Sequence, residues 1–387
     1  MVKRGMIYLG VWFQRTALHL KEVYRFLDKA EGIPGLDPDK LKENWNKLGI
    51  KKPIYHEETQ FDVLEASNPE FSFSMTEDGI ILLKCPLGDV KKSVDKIEKY
   101  YSQLMGPSIS YLFSLGAPIP KDLKVVQDSY PLYFVLEKAT SSECLDLIKE
   151  NGDSLQSSVR KNGVEIYNGQ KTAVINIISS SQFSNIEECV RNITLFREFE
   201  RQSNMYLLSH RTIWDKTSEI RNYKKVNSKD FTKIRDILLE ELKILSFGKA
   251  RLAQMRDILE ARENSIDQKT KRQLEILGLL ERFEMLKSSQ AYLSNLWMMT
   301  TDYVDGTQGL LETFYEESTK RELVLLNFLT VIAAAAQVIS VGLVFMGITR
   351  YLLILGVIVC SILLYAVARY FVLNTGFSLN SQRQEKK

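Results

Sequence analysis

Two apolar runs, residues 323–348 and 351–373, lie back to back near the end of a chain of 387 residues. Each is long enough to cross the roughly 30 Å hydrocarbon core of a bilayer as a helix rising about 1.5 Å per residue. A buried core hairpin is the competing reading, but a mostly uncharged double run of this length fits a membrane better. Lys320 and Arg321 precede the first run, Arg369 and the tail "QRQEKK" close the second, and the turn between them offers only Arg350. Excess positive charge stays inside. The expected arrangement is therefore multi-pass, in the cell's inner (plasma) membrane, with both termini cytoplasmic.

The rest of the chain reads as a soluble protein. Its opening, "MVKRGMIYLGVWFQR", has too short an apolar stretch for a secretory signal and no small-residue cleavage site. Cys85, Cys144, Cys189 and Cys360 are scattered without CxxC spacing, and His19, His56 and His210 are equally dispersed. That pattern suits a reducing compartment and suggests neither a disulfide framework nor a zinc site. A net charge of +3 is too small for a nucleic-acid binder.

All nine prolines fall at or before Pro131. Proline breaks both helices and sheet ladders, so this asymmetry separates a turn-rich first part from a helical second part. Strand-like runs in the first part are "MIYLGVWF" (6–13), "GIILLKCPL" (79–87), "SYLFSL" (110–115), "LYFVLE" (132–137), "VEIYNG" (164–169) and "TAVINIIS" (172–179). Helical patterns at 16–27 and 89–104 lie between them, and residues 31–69, rich in Pro, Asn and Lys, read as an irregular excursion. The expected fold is α+β (α/β): a cytoplasmic domain over 1–182, a helical hairpin over 183–267 and a long stalk helix over 268–322. Transmembrane helices at 323–348 and 351–373 and a cytoplasmic tail at 374–387 complete it. Asn264, Ser265 and Asp267 read as a turn and N-cap before the stalk. Ile276, Leu279, Leu280, Phe283, Leu286, Leu293, Leu296 and Trp297 mark its packing stripe. Gly306 and Gly309 are its expected weak points.

The first apolar run, "NFLTVIAAAAQVISVGLVFMGITR", carries amides that a simple anchor has no use for. At about 100° per residue, Asn327, Thr330, Ala334, Gln337 and Val341 share one side of the helix, within roughly 80° of Asn327. Leu325, Leu329, Ile332, Ala336, Ile339, Leu343 and Met346 take the far side. The same polar face, carried back toward the cytoplasm, collects Asp302, Asp305, Gly309, Glu312 and Glu316. Polar groups in hydrocarbon face protein or water. The stripe is then either interhelical glue or the wall of an axial pore with acidic rings at its inner mouth. Two spans per chain cannot enclose a pore, so the second reading needs a homo-oligomer.

This arrangement resembles the CorA family of metal-ion transporters: an α/β domain, a helical pair, a very long helix entering the first span, a short turn, a second span and a basic tail. The resemblance covers most of the chain as architecture and residues 268–387 as sequence character. It implies a pentamer whose long helix lines the pore, placing Asn327, Thr330 and Gln337 on the pore wall. The family closes its first span with Gly-Met-Asn. Here "VFMGITRYLL" has Met346 and Gly347 in reverse order and no asparagine, with Arg350 at the cation entrance. CorA-like proteins without that motif accompany type III CRISPR systems. There the cytoplasmic domain is thought to answer an adenine-containing second messenger such as a conjugate of S-adenosylmethionine and AMP.

Trp12, Gln14 and Arg15, ending the first strand, and Lys121, in "SLGAPIPK", are candidate contacts for such a ligand, since loops after strands of α/β sheets are common ligand positions. Ordinary turns with surface charges are the favoured reading of these segments. "GQKT" (169–172) lacks the first half of a P-loop. No catalytic set is evident, and a metal site is not specified. The expected function is an oligomeric membrane channel passing ions and gated by a nucleotide signal in antiviral defence. A divergent divalent-metal (Mg²⁺) transporter is the alternative, and a non-conducting membrane-anchored sensor or scaffold is the reading from another class.

Overall fold

Strand β1 (Gly5–Trp12) is flanked on both sides by antiparallel partners. It alternates faces at the strand period of two. Ile7, Leu9 and Val11 enter a hydrophobic core on one side, and Tyr8, Gly10 and Trp12 face the other. Both faces are covered, so the strand reads as a nearly unbroken apolar run. The computed structural model describes residues 5–13, 19–58, 61–115, 120, 123, 130–161, 163–179, 185–223, 226 and 228–345, with 358, 359, 362, 365 and 366 in the second apolar run.

The other strands are β2 (Lys51–His56), β3 (Val63–Ser67), β4 (Ser72–Thr76), β5 (Ile80–Pro86), β6 (Leu132–Glu137), β7 (Leu155–Lys161), β8 (Val164–Gly169) and β9 (Thr172–Ile177). They form a nine-stranded sheet in the order β2-β3-β4-β5-β1-β6-β9-β8-β7, in which β6 and β9 pair in parallel. One face carries α1 (Leu20–Lys29), α2 (Pro38–Leu48), α3 (Val90–Lys99), α4 (Gly106–Leu112) and α5 (Ser141–Glu150). Across the opposite face runs the first part of α6 (Ile186–Arg221). There Thr194 sits so close to Gly10 that a Cβ on Gly10 would lie 2.3 Å from the threonine hydroxyl oxygen. Only glycine permits that approach.

Two stretches differ from the sequence expectation. "SYLFSL" (110–115) ends a helix instead of forming a strand. The chain runs from α3 through a π-helical turn, Tyr100–Met105, into α4. Pro107 has no N–H to give to the turn before it, and the wider turn accommodates that loss. The excursion at 31–69 also holds more order than its composition suggests, containing α2, β2 and β3. Pro53 is tolerated because β2 is an edge strand.

By packing, the chain divides into two units: Met1–Leu207 with Gly248–Ser294, and Leu208–Phe247 with Asn295–Lys387. The helices α6, α7 (Ser228–Ser265) and α9 (Leu280–Phe345) contribute to both. α8 (Gln268–Ile276) begins at Asp267, whose carboxylate accepts from Thr270 N at 2.5 Å, the N-cap expected there. Helical patterning continues through residue 279, but the helix stops: Gly278 adopts φ +68°, and α9 starts afresh at Leu280. Gly306 and Gly309 instead lie inside the unbroken 66-residue α9.

In the second unit, α9 buries Trp297, Thr300, Val304, Thr307, Leu311 and Ser318, a coiled-coil-like seam of three- and four-residue steps that ends on one of seven. Thr300 and Thr307 give their hydroxyl protons to carbonyls four residues back, so these polar side chains cost the seam little. Trp214 of α6 stacks on Tyr303 at 4.4 Å, and Phe231 of α7 meets Tyr315 at 5.5 Å. His210 Nδ1 lies 2.6 Å from Thr300 Oγ1. The threonine proton is already engaged with Leu296, so the imidazole donates from Nδ1.

Candidate functional site

The end of α9 is long and apolar enough to cross a membrane, and none of its most apolar stretch is buried within the chain. Val324, Phe328 and Val338 are 67%, 61% and 73% exposed. Water does not tolerate a patch of this kind, so lipid or other protein must cover it. Exposure is uneven around the helix. Leu325, Leu329, Ile332 and Ala336 are half-buried, continuing the seam of the second unit, whereas Asn327, Thr330, Ala334, Gln337 and Val341 are exposed. Asp302, Asp305, Glu312 and Glu316 are exposed as well. The polar stripe thus lies across the helix from the side that the chain itself packs. Thr330 returns its hydroxyl proton to Leu326 O at 2.8 Å, and Glu312 accepts from Gln308 at 2.9 Å. In the second apolar run, Ile358, Val359, Ile362, Tyr365 and Ala366 are helical and exposed.

Described residues of the first unit form two clefts of note. The larger, about 830 Å³, lies among β3, β4, the start of α6 and the α7–α8 turn. Its floor is an ion-pair network. Arg262 is buried and donates from Nε to Asp78 at 2.9 Å, from one terminal nitrogen to Glu188 at 2.9 Å and from the other to Thr76 at 3.2 Å. Arg191 joins Glu187 and Glu188, and Lys84 reaches Glu187 at 2.6 Å. Burial works against the charge on Glu187, but Lys84 and Arg191 outweigh it and hold the carboxyl below its usual range. With Lys84 and Asp78 beneath the cleft, the three cations of this network balance its three carboxylates, while Glu57, Glu58, Glu65 and Asp267 make the walls acidic. Arg262 also lies over the Phe61 ring at 5.2 Å.

The smaller cleft, about 510 Å³, is lined by β7, the β8–β9 turn, α6 and the first residues of α9. Its cations are Lys171, Arg197, Arg201 and Arg282, against two carboxylates, Glu198 and Glu200. Glu198 is buried beside Arg201 at 2.6 Å, yet burial pushes its carboxyl up to about 7. Arg197 donates to the carbonyls of Gly169 and Lys171 at 3.2 and 3.4 Å and lies over the Tyr133 ring. The "GQKT" turn proves to be an anion-holding turn that is already filled. Asp153 accepts from the N–H groups of Gln170, Lys171 and Thr172 at 2.7–2.9 Å.

Trp12 is buried in the sheet face under α6. Its indole N–H donates to Asp78 O at 2.9 Å and its ring meets Phe199 at 4.6 Å, which makes it a core side chain. Gln14, Arg15 and Lys121 lie outside the described residues. Arg262 and the Arg197–Arg201 pair carried no sequence signal beyond being arginines in helices. Cys85, Cys144 and Cys189 are buried apart from one another, and burial pushes their thiols up to about 11, 12 and 12.

No protein-family model matches this chain, and no curated protein matches it as a relative.

Proposed function

We infer that the chain is one subunit of a CorA-like oligomeric membrane channel, gated from its cytoplasmic domain by a small-molecule ligand. The observation that carries this reading is the two-sidedness of α9. The chain packs one side of the helix from Phe283 to Ala336 and leaves the opposite side open, and that open side holds every acid and amide of the stripe. A helix that only anchored a domain would gain nothing from Asn327 and Gln337 within an apolar segment, since buried amides need partners. Arranged about a symmetry axis, the stripe supplies amides and small side chains to a conducting path and carboxylates to its inner mouth. A pentamer with two spans per subunit and cytoplasmic termini is the assembly that the CorA resemblance implies.

Ligand control is supported by clefts of small-molecule size among the described residues of the sheet domain. A nucleotide second messenger of the S-adenosylmethionine–AMP kind, acting in CRISPR defence, is the ligand that the resemblance suggests. The reversed "MG" and Arg350 weigh against magnesium uptake as the main task.

The assembly is tested by measuring the mass of the detergent-solubilised full chain by light scattering. A closed oligomer is expected, and a monomer would remove the basis for a pore.

A further inference from the structure

The smaller cleft of the sheet domain has the chemistry of an anion site. Four cations face two carboxylates there, and Glu198 is only partly charged near neutrality. Among the described residues, no carboxylate lies within ion-pair distance of Lys171 or Arg197, which Glu98 and Glu198 reach only at longer range. Arg201 spends one terminal nitrogen on Glu198, while its Nε is buried with no hydrogen-bond partner. A buried guanidinium N–H without an acceptor is uncommon, because it forfeits the full cost of its desolvation. Arg282 is held only loosely, 3.7 Å from Glu200 with both side chains partly exposed. Such a pair contributes little and exchanges readily. The backbone amides of the nearby turn are taken by Asp153, so an incoming anion must be held by side chains.

We propose that this cleft binds a phosphate-bearing small molecule of nucleotide size, with Lys171, Arg201 and Arg282 on the phosphate. Arginine matches phosphate oxygens with paired donors, and Arg201 keeps a second terminal nitrogen beyond the one given to Glu198. Gln156, Ser157, Asn168 and Asn204 line the rest and offer amide and hydroxyl groups to a sugar or base. The volume of about 510 Å³ exceeds what inorganic phosphate needs and suits a nucleotide. Arg282 gives the site a consequence, which rests on the ligand-gated reading above. It stands in the first turn of α9, the helix that continues into the apolar segment. Phosphate displaces Glu200 from Arg282 and settles near a helix N-terminus, where negative charge is favoured. Ligand binding is thereby read at the root of the membrane helix.

The test is calorimetric titration of the detergent-solubilised full chain with ATP, AMP and inorganic phosphate. ATP or AMP is expected to bind, more weakly as salt rises, with inorganic phosphate weaker than either. The double variant Lys171→Gln/Arg282→Gln, changed at accessible positions, is expected to lose affinity roughly tenfold or more, through two lost charge-assisted contacts. Arg256→Gln, on an exposed part of α7, is expected to change nothing. No binding of any probe, affinity unaltered in the double variant, or phosphate bound as tightly as ATP would overturn the assignment. Flux through liposomes separates the two ideas. Binding lost in the double variant, with no flux from any form, upholds the cleft and contradicts the channel. Flux without nucleotide binding upholds the channel and contradicts the cleft.

Discussion

Arg262 and Asp78 lie 184 residues apart in sequence and meet in a buried ion pair, Nε to Oδ2 at 2.9 Å. The pair ties the end of α7 to the β4–β5 turn, and Glu188 and Thr76 complete the arginine's partners. Asp78 in turn offers its backbone oxygen to Trp12. The contact thus joins strand β1, the β4–β5 turn and the helical arm of the first unit.

Removing one partner of a buried pair strands the other charge. Arg262→Gln is therefore expected to lower stability by about 3–5 kcal/mol. Lys243→Gln, which breaks an exposed helix pair with Glu240, is expected to cost at most about 0.5 kcal/mol. Equilibrium unfolding of the two variants against the parent checks the contrast.

Glu198 imposes a pH dependence. Its carboxyl is raised to about 7 in the folded chain by burial, against an ordinary value of 4.5. The folded state then binds more protons than the unfolded state between those limits, so stability falls as pH rises. The contribution is full below about 4.5 and is lost as pH passes through 7. Glu198→Gln is expected to flatten the unfolding free energy over that range by roughly 2–3 kcal/mol.

Gly10 and Thr194 leave no room for a methyl group between β1 and α6. Gly10→Ala is expected to cost about 1–3 kcal/mol by overpacking. Adding Thr194→Ala is expected to recover part of that loss, a coupling that a double-mutant cycle in unfolding free energy would reveal.

The two glycine environments in the helical arm make opposite predictions. Gly278 has φ +68°, so Gly278→Ala is expected to destabilise by about 1 kcal/mol. Gly306 sits mid-helix with open space where a Cβ would lie, so Gly306→Ala is expected to stabilise by about 0.5–1 kcal/mol. Equal signs in thermal unfolding would mean that the helix break is misplaced.

The strands rich in β-branched and aromatic residues were legible in the sequence because both faces of the central sheet are buried. β1, β5, β6, β8 and β9 fall where those runs predict them. β7 was not, because it is exposed along its whole length and has no apolar alternation to read. β2 hid behind Pro53 and a lysine-rich start. "SYLFSL" has strand composition but belongs to a helix whose identity comes from residues upstream of Pro107. Leu277 and Leu279 kept the helical pattern running across Gly278, where the backbone turns left-handed. That Asn327, Thr330, Ala334, Gln337 and Val341 share one face follows from one period in one helix, and all five are exposed on α9. Neither cleft was legible in the sequence, since each brings together charged and polar side chains from segments more than a hundred residues apart, and Trp12, a ligand candidate by type, is consumed by the core.

Ion flux through liposomes carrying the reconstituted full chain tests the channel most directly, comparing the parent with Asn327→Leu and Gln337→Leu. The pore reading predicts flux in the parent and a marked change in both variants, while Ile332→Leu, on the far side of the helix, conducts like the parent. Absent flux, or flux that both substitutions leave unchanged, would contradict a conducting path lined by this face of α9.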